Sequence, residues 1–323
     1  MNNDNNFQVA FEQISTLRQH LNKVLIGQSK VIDETMVAFL AGGHILLEGV
    51  PGTGKTLLVR ALAQGFGGKF NRIQFTPDLM PSDITGSYWF NGKEQVFVLR
   101  QGPVFTHLLL ADEINRAPAK TQAALLQVMQ EYAVSLDGKT HTVPRPFMVL
   151  ATQNPIEQEG TYPLPEAQLD RFMFKVLVDY PQMADEVRLV EAVTTAHNND
   201  LLTKSTITQT LTPEQIVQLQ ATTANIMVDS KIIDYAVRLV SATRQAHGLA
   251  VGAGPRAGIA LINAAKANAL LNGNTFATPD NIKAVWLPAL RHRVRLSIEA
   301  EMGGQTIDEI LFQIINQIEA PRQ

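Results

Sequence analysis

The sequence predicts an α/β domain followed by an all-helical domain, and three observations support this fold class. Apolar runs of strand length, such as Ile45–Leu47 and Leu108–Ala111, alternate with helical patterns in the first part of the chain, as in parallel βα units. Beyond Tyr180-Pro181 the apolar residues recur at helical spacing only. A glycine-rich loop joins the first apolar run to a helix. We therefore predict domains at residues 1–181 and 182–323.

The composition is that of a globular protein large enough for two cores, with 323 residues, 45% hydrophobic and 18% charged. The net charge of −3 argues against a surface that coats nucleic acid. The absence of cysteine excludes disulfides, thiolate metal sites and cysteine nucleophiles. The seven histidines show no metal-ligand spacing. We expect His44 and His107, which lie beside strands, to be packed core residues.

The chain carries no segment that we expect to enter a membrane. The first six residues lack the charged-then-apolar order of a signal peptide. No apolar run approaches the roughly 20 residues of a membrane span, since the stretch 37–47 is broken by Gly42, Gly43 and His44. We therefore expect a cytoplasmic protein.

The loop Gly49–Thr56 reads Gly-Val-Pro-Gly-Thr-Gly-Lys-Thr and fits the phosphate-binding pattern G-x-x-x-x-G-K-[ST]. It lies between a predicted strand and a predicted helix, so its backbone N–H groups and the helix N-terminus are placed to hold phosphate. Lys55 is expected to reach the β- and γ-phosphates, and the Thr56 hydroxyl to bind Mg²⁺. The chain is therefore predicted to bind a nucleoside triphosphate. The residues expected to hold it are Pro51, Gly52, Thr53, Gly54, Lys55, Thr56 and Leu57.

A helical pattern over Phe7–Leu21 and another over Ser29–Ala41 flank the short apolar turn Val24–Gln28. In a nucleotide-binding fold, a turn just before the first strand is well placed to contact the base. Ile26 and Gly27 are therefore candidates for base binding. Simple packing of the turn is an equally acceptable alternative.

The segment Thr76–Phe105 is irregular, with several prolines and glycines and the aromatic run Tyr88-Trp89-Phe90. Because long irregular segments inside compact domains are usually functional, we predict a projecting loop or hairpin that contacts substrate or a partner. The alternative is an ordered surface insertion. For the aromatic run, a grip on a substrate and packing into the core both remain open.

Candidate catalytic residues follow two further strands. Asp112 and Glu113 end the apolar run 108–111, and acids at a strand end beside a phosphate loop suit a metal ligand and a base for water. We assign Asp112 to Mg²⁺ and Glu113 to water; a solvated strand end is the alternative. Asn154 follows the strand predicted at Phe147–Thr152 and could orient the attacking water, although Asn-Pro alone favours a simple turn.

The remaining chain is predicted from turns and helix starts. Val134–Val143 is predicted as a hairpin around Asp137-Gly138, and Phe172–Val178 as a fifth strand. Residues 198–210 are polar and are predicted as a linker. Arg291–Arg295 is predicted as a solvated helix end or a subunit contact. The predicted helices of the second part are Ala184–His197, Pro213–Ile226, Lys231–His247, Pro255–Leu271, Pro279–Leu290 and Thr306–Ile318.

Together, five motifs closely resemble those of the MoxR family of AAA+ ATPases: Gly49–Thr56, Ala111–Pro118, Ala151–Pro155, Leu164–Phe172 and Gly252–Ala257. The resemblance implies a P-loop AAA+ core with a five-stranded parallel sheet in the order 5-1-4-3-2, plus an all-α lid domain. It also implies a homo-oligomeric ring, usually a hexamer, with ATP bound between core and lid at the interface between subunits.

The resemblance also implies roles for individual residues. Lys55 and Thr56 match Walker A, Asp112 and Glu113 match Walker B, and Asn154 matches sensor 1. Arg171 matches the arginine finger, which acts on the neighbouring subunit's γ-phosphate. Arg256 matches sensor 2 and would reach ATP from within the same chain. Arg116 is a second candidate for a contact across the interface. Thr76–Phe105 and Val134–Val143 match two insertions of this AAA+ clade.

By resemblance, the function is Mg-ATP hydrolysis coupled to chaperone-like remodelling or maturation of a protein partner, including metal insertion or complex assembly. A protein with a von Willebrand factor type A domain is the expected partner. The alternative is the ATPase motor of a magnesium-type metal chelatase. A nucleic-acid motor is disfavoured because Thr76–Phe105 offers only Lys93 and Arg100 against three acids. Because Glu113 and Asn154 are both present, a non-hydrolysing scaffold is disfavoured as well.

Overall fold

The computed structural model describes residues 2–50, 52–154, 161–194 and 209–321, with side chains from residue 7 onward. The predicted phosphate-loop residue Pro51 and residues 198–208 of the predicted linker lie outside the described residues.

The centre of the molecule is a five-stranded parallel sheet in the order β2-β5-β8-β1-β9. When these five strands are numbered by themselves, the order is 5-1-4-3-2, so the predicted topology is confirmed. Its inner strands are buried on both faces, which is why they read as continuous apolar runs. The strands are β1 (Ile45–Glu48), β2 (Phe70–Gln74), β3 (Gly86–Asn91), β4 (Val96–Gln101), β5 (Leu108–Asp112), β6 (Ala133–Leu136), β7 (Lys139–Thr142), β8 (Met148–Gln153), β9 (Phe174–Leu177), β10 (Leu249–Val251) and β11 (Arg295–Leu296).

Helices cover both faces of the sheet, and a helical second part follows. One apolar core joins the N-terminal helices and one sheet face to the second part, and a separate core fills the opposite face. The helices are α1 (Asn2–Val24), α2 (Ser29–Leu40), α3 (Lys55–Gly65), α4 (Pro81–Thr85), α5 (Ala119–Glu131), α6 (Glu166–Leu169), α7 (Met183–Thr194), α8 (Pro213–Ala224), α9 (Ser230–Thr243), α10 (Pro255–Leu271), α11 (Pro279–Leu290), α12 (Ile298–Met302) and α13 (Ile307–Gln317). The second part is helical as predicted, with one addition, the short antiparallel ribbon β10–β11.

The sheet register places the site. In parallel strands all carboxyl ends meet at one edge, and here Glu48 pairs with Gln153 while Asp112 pairs with Gln74. The loop after β1 and the acids at the end of β5 are therefore neighbours. Among the described residues no helix is long and apolar enough to cross a membrane.

The predicted projecting segment is an ordered hairpin, β3–β4, preceded by α4. At its tip the side chains of Trp89, Phe90 and Phe97 are 50%, 52% and 71% exposed. The core-packing alternative is therefore wrong for Trp89 and Phe90. Tyr88 is half-buried and its hydroxyl lies 3.1 Å from His141 of the neighbouring hairpin β6–β7.

The cluster Arg291–Arg295 is not a solvated helix end, because three of its members are buried. Arg291 and His292 are 5% and 7% exposed, and the Arg293 side chain is 4% exposed. Arg291 Nη1 donates to the Lys175 carbonyl at 3.2 Å, and His292 Nε2 lies 2.9 Å from the Phe172 carbonyl. Burial and the neighbouring Arg293 hold the pKa of His292 well below its ordinary value. The cluster therefore attaches the end of α11 to the approach to β9.

Glu34 is a carboxyl group buried where α2 meets the second part of the chain. Burial raises its pKa from 4.5 to about 7, against the opposing charges of Lys30 and Arg291. Folding therefore retains a proton that the unfolded chain releases, so stability falls as the pH rises from 4.5 to about 7.

We predict that Glu34→Gln raises the resistance to urea at pH 8 and changes it little at pH 4.5. The gain at pH 8 approaches about 3 kcal/mol, at 1.36 kcal/mol per pKa unit. The exposed Glu301→Gln is the matched control and should leave the pH dependence of the unfolding midpoint unchanged. An equal gain for Glu34→Gln at both pH values would contradict the prediction.

Candidate functional site

The loop between β1 and α3 has the backbone geometry that its glycines permit. Gly52 and Gly54 have φ values of 83° and 86°, in the left-handed region that glycine favours. Gly49 is needed for a different reason, because a Cβ there would lie 2.2 Å from the Val178 carbonyl oxygen. Lys55 Nζ donates to the Gly49 carbonyl at 2.5 Å. The hydrogen bond from Lys55 to Gly49 thus closes the loop, and Gly49 packs closely against Val178, which follows β9.

A cleft of about 520 Å³ opens beside this loop. It brings together five residues predicted for catalysis and metal binding, from α3 and the ends of β5 and β8: Lys55, Thr56, Asp112, Glu113 and Asn154. The whole lining is Gly52, Gly54, Lys55, Thr56, Leu57, Arg60, Arg72, Gln74, Asp112, Glu113, Thr152 and Asn154. Burial lowers the pKa of Lys55, and the charges of Asp112 and Glu113 act in the opposite direction.

Asp112 is held from two sides. Thr152, at the neighbouring strand end, donates its hydroxyl to Asp112 Oδ1 at 2.6 Å and accepts the backbone N–H of Glu113 at 2.9 Å. Arg72 donates to Asp112 Oδ2 through Nη2 at 2.6 Å and through Nε at 3.1 Å. The carboxylate therefore has a fixed orientation and an ion pair with Arg72.

Glu113 adopts a left-handed backbone conformation, with φ 55° and ψ 51°, which turns the chain sharply after the strand. Its Oε2 accepts a hydrogen bond from Gln74 Nε2 at 2.7 Å and lies 3.0 Å from Arg116 Nη1. Arg116, a candidate for a contact across a subunit interface, thus forms an ion pair within its own chain.

A smaller cavity of about 170 Å³ adjoins the loop on its other side. Ile26 lines it, and the start of α7 packs against the turn: a Cβ on Gly27, which has φ 78°, would lie 2.7 Å from Asp185 Cβ. The lining is Val24, Leu25, Ile26, Gln28, Gly52, Thr53, Gly54, Leu57, Pro181 and Leu189.

Two predicted arginines lie outside the cleft of their own chain. Arg171 Nη1 donates to the Leu126 carbonyl at 3.0 Å. Arg256 Nη1 lies 3.6 Å from Asp170 Oδ2. Neither arginine contributes to the cleft lining of the described residues.

Comparison with known proteins identifies the family. Residues 44–174 match the sequence model described as "ATPase family associated with various cellular activities (AAA)", and residues 241–314 match the AAA lid domain. The chain is 41% identical to Chaperone MoxR1 of Mycobacterium tuberculosis, over 94% of this chain and 81% of that protein. The chain belongs to the MoxR family of AAA+ ATPases. It is therefore an ATP-hydrolysing enzyme of the P-loop class.

Two further similarities extend over almost the whole MoxR-family chain. It is 43% identical to the uncharacterized protein YeaC of Bacillus subtilis, over 94% of each chain. A crystal structure of a Cytophaga hutchinsonii protein described as an ATPase superimposes with a TM-score of 0.90. That match has 37% identity and covers 98% of each chain.

Several residues that line the cavities of this MoxR-family ATPase were not predicted from the sequence, among them Arg60 on α3. Arg72 and Gln74 lie on β2, and Thr152 lies on β8, where they read as ordinary strand residues. Pro181 and Leu189 reach the smaller cavity from beyond the predicted domain boundary. Only Arg72 and Gln74 could have been found from the sequence, because these polar residues alternate with Ile73 on the edge strand β2.

We predict that Gly27→Ala weakens ATP binding several-fold, because its Cβ displaces the start of α7 from the smaller cavity. Gly42→Ala is the matched control, since Gly42 also has positive φ, at 69°, but a Cβ there meets nothing within 4 Å. Both changes should cost about 1 kcal/mol of stability through backbone strain. Calorimetric titration with ATP separates them, and equal affinities for the two variants would contradict the prediction.

Proposed function

We propose that this MoxR-family protein is a magnesium-dependent ATPase that couples hydrolysis to chaperone-like remodelling or maturation of a protein partner. The observation that supports it best is the convergence of Lys55, Thr56, Asp112, Glu113 and Asn154 on one cleft. The relative from Mycobacterium tuberculosis is named as a chaperone. A protein with a von Willebrand factor type A domain is the proposed partner, with metal insertion or complex assembly as the outcome.

The phosphate end of the nucleotide is assigned to the loop and Lys55. The Lys55 ammonium is partly buried, so it interacts with phosphate in a medium less polar than water. It now donates to the Gly49 carbonyl, and phosphate oxygens replace that acceptor. The adenine base is assigned to the smaller cavity lined by Ile26, at the turn that includes Gly27.

The cleft residues fit Mg²⁺, since Thr56 and Asp112 offer the hard oxygen ligands that this ion prefers. Among the described residues no cluster of three or more His, Asp or Glu could hold a metal ion. In this proposal phosphate oxygens would supply further ligands. When bound, the ion neutralises charge on the β- and γ-phosphates. Glu113 is assigned to polarise the attacking water and Asn154 to orient it.

Arg72 competes with a metal ion for Asp112, because its guanidinium already donates twice to that carboxylate. Binding of Mg²⁺ by the Asp112 carboxylate would therefore compete with the hydrogen bonds from Arg72. Since Arg72 is half-exposed, its release into solvent is inexpensive.

We predict that Arg72→Gln lowers the Mg²⁺ concentration needed for half-maximal ATP binding by about two- to five-fold, the range for an exposed ion pair. The measurement is ATP binding titrated with Mg²⁺ in the Glu113→Gln background, which does not depend on turnover. Arg60→Gln removes the same charge elsewhere in the cleft lining and serves as the control. A Mg²⁺ requirement that is unchanged, or equally lowered by both variants, would contradict the competition.

We propose further that the site is completed in trans, in a homo-oligomeric ring of six copies. Arg171 does not line the cleft of its own chain, so a second copy must supply this arginine if it contacts the γ-phosphate. Arginine fingers contribute about 10³–10⁵ in rate in other P-loop enzymes. An isolated copy is therefore expected to hydrolyse ATP slowly.

We predict that Arg171→Ala and Glu113→Gln each abolish most ATPase activity, and that mixing the two restores part of it. In mixed assemblies a copy with intact Glu113 receives Arg171 from its Glu113→Gln neighbour. The measurement is phosphate release at fixed total protein, with each variant alone as control. If the mixture is no faster than the single variants, the trans assignment is wrong. If wild-type protein with Mg²⁺ releases no phosphate, the proposed function is wrong.

A further inference from the structure

The Asp170 side chain lies beside two arginines, Arg293 and Arg256, and a third arginine follows it in the chain. It directly precedes Arg171 and caps the carboxyl end of α6. Its Oδ1 accepts a hydrogen bond from Arg293 Nε at 2.8 Å. Its Oδ2 lies 3.6 Å from Arg256 Nη1. One carboxylate is therefore shared between two arginines that come from different elements of the second part of the chain.

The two contacts differ greatly in strength. The Arg293 side chain is 4% exposed and also donates to the carbonyls of Phe172 at 2.7 Å and Met173 at 3.0 Å. The Arg256 side chain is 62% exposed, and its 3.6 Å separation from Asp170 exceeds hydrogen-bond distance. Buried, hydrogen-bonded pairs are costly to break, whereas exposed pairs contribute little. Asp170 is thus fixed by Arg293 and holds Arg256 loosely.

Arg256 is attracted to its position beside Asp170 only while the Asp170 carboxylate is negatively charged. Burial lowers the pKa of the Arg293 guanidinium and the Asp170 carboxylate raises it, and Arg256 stands close enough that its positive charge lowers it as well. Without the carboxylate, two guanidinium groups would repel each other across this gap. The Asp170 charge is therefore what keeps Arg256 beside α6.

We propose that Asp170 is a positioning residue that holds Arg256 outside the cleft until a nucleoside triphosphate competes for it. This rests on the proposed function and adds to it that Arg256, which matches sensor 2, contacts the γ-phosphate of ATP. ADP lacks that phosphate and leaves Arg256 paired with Asp170. The ion pair therefore sets how strongly the protein distinguishes the triphosphate from the diphosphate.

The Asp170 carboxylate also constrains the position of Arg171. Arg293 and Asp170 join α6 to the end of α11, and Arg171 follows Asp170 directly in the chain. When Arg256 leaves, the buried contact to Arg293 remains. Arg171 therefore stays attached to the second part of its own chain in both states.

The test compares ATP and ADP binding in the Glu113→Gln background, which blocks turnover. Asp170→Asn removes the charge but retains an oxygen that can accept from Arg293. We expect the ratio of the ADP to the ATP dissociation constant to rise about two- to five-fold, since an exposed ion pair is lost. Asp170→Glu, which restores the charge, should return the ratio towards that of the parent protein. Adding Arg256→Ala to Asp170→Asn should abolish the rise.

Glu166→Gln is the matched control, because it removes another exposed ion pair of α6, with Arg295 at 3.2 Å. It should not change the ATP-to-ADP preference. An unchanged or lowered ratio in Asp170→Asn, or a rise that persists without Arg256, would overturn the inference. If the parent Glu113→Gln protein binds no ATP with Mg²⁺, the proposed function fails instead.

A second measurement decides the matter if Asp170→Asn does not fold. Structures of the Glu113→Gln protein with ATP and with ADP should differ in one contact. With ATP we expect Arg256 on the γ-phosphate and away from Asp170, and with ADP we expect the pair as described. An Arg256–Asp170 pair that persists with ATP overturns the inference.

Discussion

The Thr152 hydroxyl joins the ends of two adjacent parallel strands, and the geometry of the cleft depends on this connection. It donates to the Asp112 carboxylate and accepts the N–H of Glu113, so one side chain fixes both acids. This requires the register in which β5 and β8 end at the same level. Because β1 lies on the other side of β8, the phosphate loop meets the same edge. A slip of one residue would turn every one of these side chains to the opposite face.

The sequence predicted those parts of the fold and site whose geometry is local. The phosphate loop needs glycines at 52 and 54 for positive φ, and the hairpin turn at Asp137-Gly138 likewise takes positive φ at both residues. Buried strands were visible because burial on both faces requires continuous apolar runs. The strand order itself came from the family resemblance, since no local pattern specifies which strands are neighbours.

What could not be predicted depends on contacts between distant segments. Arg72 and Gln74 belong to an edge strand without a motif, and only the pairing of β2 with β5 brings them to the acids. Arg291, His292 and Arg293 were read as solvated because charge runs usually are. Their burial becomes acceptable because backbone carbonyls of residues 172, 173 and 175 and the carboxylates of Asp170 and Asp308 accept their hydrogen bonds. No spacing in the sequence reveals those acceptors.

The polar groups of the cleft are already satisfied by the protein itself. Lys55 is bonded to a backbone carbonyl, Asp112 to Arg72, and Glu113 to Gln74 and Arg116. If nucleotide binds as proposed, its arrival is consequently an exchange of hydrogen-bond partners, in which each new contact replaces an old one. Such an exchange limits the net affinity for nucleotide. When the product leaves, the cleft residues can form their original hydrogen bonds again. An ATPase releases its product in every turnover, and it benefits from a resting state of this kind because no unpaired charge is left in the cleft when the product departs.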